Sequence, residues 1–109
     1  MIKRISLVRR KDGLSFEAFV AHWLGPHAKI IRRMPGLRGY RVDVITDWLS
    51  DEERWDGVGE LWFDTRNDLE AAFAAVADEL AADRASFLAE ARTAIVEEHV
   101  LIREPPSDA

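Results

Sequence analysis

The chain contains no cysteine. That excludes a disulfide framework, a thiolate metal site and a cysteine nucleophile, and it fits a reducing, cytoplasmic setting. No apolar run approaches the ~20 residues that a membrane-spanning helix needs. The opening Met1-Ile2-Lys3-Arg4-Ile5 reads as a strand rather than a signal peptide, so no membrane partner is expected. A basic excess is also missing: 15 Lys and Arg stand against 20 Asp and Glu, for a net charge of −5. A general nucleic-acid binder needs a basic face, and the short Arg9-Arg10-Lys11 run reads as a solvated turn. Phosphate-cradling glycine loops, a dinucleotide fingerprint, a nucleophile elbow and internal repeats are likewise lacking.

What is present is a chain of 109 residues with 48% apolar content, enough for one domain over residues 1–103 followed by a polar tail over 104–109. Its centre of organisation is the stretch from Ser15 to Tyr40. Phe16, Phe19, Val20, Trp23, Leu24, His27, Ile30, Ile31 and Met34 recur at helical spacing, with Ser15 as N-cap and Glu17 in the first turn. At about 100° per residue, His27 falls near the middle of this stripe, facing the core or a pocket. Pro26 has no N–H for the carbonyl of His22. The helix should therefore kink at Gly25 or restart with Pro26, leaving that carbonyl free of its helical bond. Desolvation on the inner stripe should lower the His27 pKa, unless a carboxylate such as Glu60 or Glu97 reaches it across the sheet.

Pro35-Gly36 ends this helix. Strands are expected over Ile2 to Val8, Leu37 to Thr46, Val58 to Phe63 and Ile95 to Arg103. Gly39 suggests a bulge or a close backbone approach. Arg38, Tyr40, Val42 and Val44 share one strand face, and Glu60 and Trp62 share another. The acidic connection from Asp47 to Asp56 carries Trp48 and Trp55, as a lid or as a contact surface. A second helix carries Leu69, Phe73, Val76 and Leu80, and Asp83 caps a short further helix with Phe87 and Leu88. The order β-α-β-β-α-β indicates a ferredoxin-like α+β fold, an antiparallel sheet with helices on one face. Several strands are apolar on both faces, so a twofold partner is expected to cover the open face.

Gly13-Leu14-Ser15 with Phe19, His22-Trp23, His27-Ala28, Pro35-Gly36-Leu37-Arg38-Gly39-Tyr40, Gly59-Glu60-Leu61-Trp62-Phe63, the Asp83 to Phe87 spacing and Glu97-Glu98 together resemble the EthD-like family. The resemblance covers nearly the whole chain. It implies a homodimeric α+β barrel of ferredoxin-like subunits, a pocket between sheet and helices, and no bound organic cofactor. Relatives include proteins of ether degradation, muconolactone-type isomerases and polyketide-tailoring enzymes. Isomerase-like members use a histidine on the first helix and a tyrosine on the following strand; His22 or His27, and Tyr40, occupy those segments here.

Read from the residues, His27 is a candidate general base and Tyr40 a donor to an enolate oxygen. Trp23 and Trp62 are candidate pocket walls, with Glu60 and Arg38 as polar substrate contacts. No metal site is expected. His22 and His27 are five apart, about 140° around a straight helix, and His99 with Glu97 supplies only two ligands. Together with the resemblance, which implies that no cofactor is used, these features lead to a protein that binds a small, largely apolar carbonyl or aromatic compound. Its chemistry would be proton transfer, isomerisation or, as an oxidoreductase, attack of oxygen on a carbanion. The alternative is a non-catalytic accessory protein using the same pocket.

Overall fold

Nine consecutive residues of β1, Ile2–Arg10, alternate between two environments. Arg4, Ser6 and Val8 face one side and Lys3, Ile5 and Leu7 the other, and pairing along both edges makes β1 an inner strand. In the computed structural model, which describes residues 1–51 and 55–102, β1 pairs antiparallel with β3 (Gly57–Phe63) and with β4 (Leu88–Val96). β2 (Gly39–Val44) pairs with the free edge of β3, giving the antiparallel order β2-β3-β1-β4. Helices occupy one face, as the ferredoxin-like order predicts.

The last strand lies earlier than the sequence pattern indicated. Leu88–Val96 is rich in alanine, a helix former, yet it forms the edge strand because β1 needs a second partner. Of the expected strand over Ile95 to Arg103, only Ile95 and Val96 belong to β4, and residues 97–102 are irregular. The polar tail over 104–109 lies outside the described residues. The second helix is two: α3 (Arg66–Ala75), capped by the Thr65 hydroxyl accepting the Asp68 amide at 3.1 Å, and α4 (Ala77–Phe87). They meet at Val76, whose φ of −125° and ψ of 20° break the helical path. Asp83 therefore sits inside α4 and caps nothing.

The first helical segment starts as the sequence requires, with the Ser15 hydroxyl accepting the Ala18 amide at 3.1 Å. α1 (Phe16–His22) then widens into a π turn over Trp23–His27 before α2 (Ala28–Arg32) resumes. The π turn is the helix's answer to Pro26. In an i→i+5 pattern the bond to the His22 carbonyl passes from position 26, which has no N–H, to the amide of His27. The helix thus restarts at Ala28 without freeing that carbonyl, and the wider turn shifts the phase. Leu24, on the expected apolar stripe, is 52% exposed. Gly36, at φ 76°, ends the helical region in the left-handed conformation that glycine tolerates.

Candidate active site

The helix-facing side of the sheet is built in rows. Tyr40, Leu61 and Arg4 lie side by side across β2, β3 and β1; the next row is Val42, Gly59 and Ser6; the next is Val44, Gly57 and Val8. The middle row has almost no side-chain volume at Gly59 and Ser6. A small cavity of about 40 Å³ opens over it, roofed by Trp23, His27, Arg84 and Phe87. Trp23 fixes the roof height. Its ring lies so close to β3 that a Cβ on Gly57 would stand 2.3 Å from it. The volume holds a few waters, so a ligand must part the lining side chains to enter.

His27 is buried, 8% exposed, where the π turn faces the cavity. Its Nδ1 lies 2.7 Å from one carboxylate oxygen of Asp83, and Nε2 of His22 lies 2.7 Å from the other. Residues five apart diverge on an α-helix, but a π turn returns the chain to the same side after five residues. The widened turn is thus what lets both imidazoles reach one carboxylate. A carboxylate only accepts, so each histidine donates to it. That fixes the His27 tautomer with Nε2 as its lone-pair nitrogen. Among the described residues Nε2 has no hydrogen-bond partner. Burial pushes the His27 pKa below the ordinary histidine value, with the Asp83 bond pulling the other way. The acid that reaches His27 is therefore Asp83. Glu60 is held by Lys3 at 3.2 Å, and Glu97 by His99 at 2.7 Å.

Tyr40 enters from β2. Its hydroxyl is buried without any hydrogen-bond partner among the described residues, and burial raises its pKa to about 12. It is thus a neutral, unspent donor at the cavity wall. Trp23 also lines the cavity, as expected. Trp62 does not: its ring lies on the open sheet face beneath Lys3 and Arg41, 4.8 and 5.4 Å from their cationic groups, and covers Gly39. Register places the Glu60 side chain on that open face too, paired with Ile5, although the residue borders the cavity. Arg38 is exposed, 3.5 Å from Asp64. Three residues that the sequence did not assign to the site complete it: Asp83, Arg4 and Arg84. Among the described residues no group of three or more His, Cys, Asp or Glu is arranged to hold a metal ion.

This architecture defines a ferredoxin-like α+β domain with a cavity between sheet and helices. The chain belongs to the EthD family, whose domain model matches residues 11–91. An EthD-family protein from Bacillus halodurans is 26% identical, with a TM-score of 0.76 over 91% of this chain and 99% of its own. A dimeric ferredoxin-like protein from Thermobifida fusca is 18% identical, with a TM-score of 0.65 over 87% of this chain and 88% of its own. A Nitrosomonas europaea protein named for antibiotic biosynthesis monooxygenases is 22% identical, with a TM-score of 0.63 over 90% of this chain and 98% of its own. No curated protein sequence matches the chain.

Proposed function

We propose that this protein is a homodimeric, cofactor-independent enzyme that moves a proton on a small, largely apolar carbonyl or aromatic compound. The observation that carries the reading is the buried, partnerless Tyr40 hydroxyl in a cavity that also receives a histidine oriented by a carboxylate. His27 Nε2 would accept the proton from carbon, and Asp83 would stabilise the resulting imidazolium through Nδ1. The Tyr40 O–H would donate to the oxygen where negative charge gathers. His22, on the second oxygen of Asp83, is a positioning residue that keeps the carboxylate from turning. The carbanion can be reprotonated at another carbon, which is isomerisation. It can instead react with molecular oxygen, a course that the likeness to the Nitrosomonas protein supports.

Dimerisation is supported by the apolar open face, where Ile5, Leu7, Val58 and Trp62 lie away from the helices, and by the dimeric Thermobifida relative. Val100, Leu101 and Ile102 follow β4 at 65%, 90% and 89% exposure, apolar surface that a second subunit would cover. Sedimentation at micromolar concentration is expected to give a dimer; a monomer alone would remove this part of the reading.

The test of chemistry is solvent-deuterium incorporation into a panel of lactones, quinones and hydroxyaromatics, followed by NMR. Exchange at one carbon is expected with the native protein and is expected to vanish in His27→Ala. A compound that binds in the cavity and never exchanges would favour the accessory, non-catalytic role.

A further inference from the structure

We infer that the ligand carries a carboxylate and that Arg4 and Arg84, which share the cavity with His27, hold it. The inference rests on the cavity described above and deepens that reading. Arg4 projects from β1 and Arg84 from α4, and both line the cavity. Both are partly buried, and among the described residues neither has a carboxylate or hydrogen-bond partner. Among the described residues they share one aromatic support: the Phe73 ring lies 4.4 Å from the Arg4 guanidinium and 6.0 Å from that of Arg84.

This arrangement is unfavourable without a ligand. Buried charges are ordinarily paired, yet here two like charges converge on one ring. Burial, with repulsion from Arg84 added to it, lowers the Arg4 pKa to about 10. The acids nearby are spent elsewhere: Asp83 on the two histidines and Glu60 on Lys3. In a chain of net charge −5, an uncompensated cationic wall inside the cavity is a local choice rather than a consequence of composition. A carboxylate would relieve the repulsion and accept from both guanidiniums. Trp23, Ile31, Leu61 and Phe87 would surround the apolar body.

The probe pair is benzoate and its neutral isostere benzamide, titrated calorimetrically into the full chain. The native protein is expected to bind benzoate at least tenfold more tightly than benzamide. In Arg4→Met and in Arg84→Met that preference should fall below threefold. Thermal melts of the ligand-free variants provide a second readout that needs no ligand: removing one of two repelling, unpaired charges should raise Tm, whereas a structural arginine would lower it. Equal binding of the two probes, binding of neither, or an unchanged preference in both variants would overturn the inference. A native protein that prefers benzoate yet exchanges no proton on any tested compound would overturn the chemistry alone, so the two readings fail separately.

Discussion

Two apolar clusters lie under the helices, and they are built differently. One is mainly aliphatic, with Ile30, Ile31, Met34, Leu61, Phe63, Leu69 and Leu80 among its members. The other is small and mostly aromatic: Val8, Phe19, Trp23 and Phe87. In the second, Phe19 stacks on Phe87 at 5.8 Å and tilts on Trp23 at 5.3 Å, and Phe87 in turn abuts the His22 and His27 rings at 4.6 and 4.9 Å. The cavity lies along the seam, touched by Ile31 and Leu61 from one side and by Val8, Trp23 and Phe87 from the other. Aliphatic packing fills space without preferred direction. Flat rings set angles. The difference suggests a division of labour in which the first cluster carries stability and the second orients imidazoles.

The comparison can be broken most forcefully in the aliphatic cluster. Phe63 is fully buried, and Phe63→Ala should cost about 3–5 kcal/mol in chemical denaturation. A loss as small as that of a surface change would show that the cluster does not carry the fold.

Asp83→Ala comes next, at about 1–3 kcal/mol, because two imidazole N–H groups lose their acceptor. It should also abolish exchange, since the His27 tautomer is no longer fixed. A pH series sharpens this point. The folded His27 pKa lies below that of the unfolded chain, so above the ordinary histidine value the residue is neutral in both states and adds no pH dependence. As pH falls from that value through the folded pKa, the unfolded chain binds more protons and stability declines. Stability that rises on acidification across that window would contradict the buried, neutral assignment.

The smallest effect has the opposite sign. Tyr40→Phe removes a buried hydroxyl that has no partner, and should leave stability unchanged or raise it by up to about 1 kcal/mol. The same change should slow exchange. Tyr40 is the only tyrosine in the chain, so its ultraviolet titration is read without interference from other tyrosines and should have a midpoint near 12. A midpoint near 10 would place the hydroxyl in water.

Much of this was legible before the fold was known, and the boundary is physical. Strand alternation, the Ser15 cap and the Gly25-Pro26 break are local signals: the first three strands and the cap form where expected, while the break becomes a π turn and the last strand lies earlier. His27 and Tyr40 could be singled out because a titratable group on an apolar stripe or strand is locally anomalous. Asp83, Arg4 and Arg84 gave no such signal, since a charge in a mixed helix or strand looks solvated until tertiary packing puts it under a roof. Leu24 was misplaced because 100° per residue fails across a π turn, the same turn that brings His22 and His27 to one carboxylate. Trp62 was expected at the pocket because aromatic strand residues suit either face, and only the register with Lys3 assigns it to the open one.

The link from Asp83 to the two histidines also bears on the order of folding. His22 and His27 can be brought together by one local turn, but their acceptor lies 61 and 56 residues further along the chain. Contacts of such sequence separation carry a loop-closure cost and mature after local helix formation. A nascent chain that has not yet docked α4 presents an imidazole pair with no carboxylate to set its tautomer. The histidine–carboxylate cluster is thereby completed only with the tertiary structure, and no fragment ending before α4 can carry it.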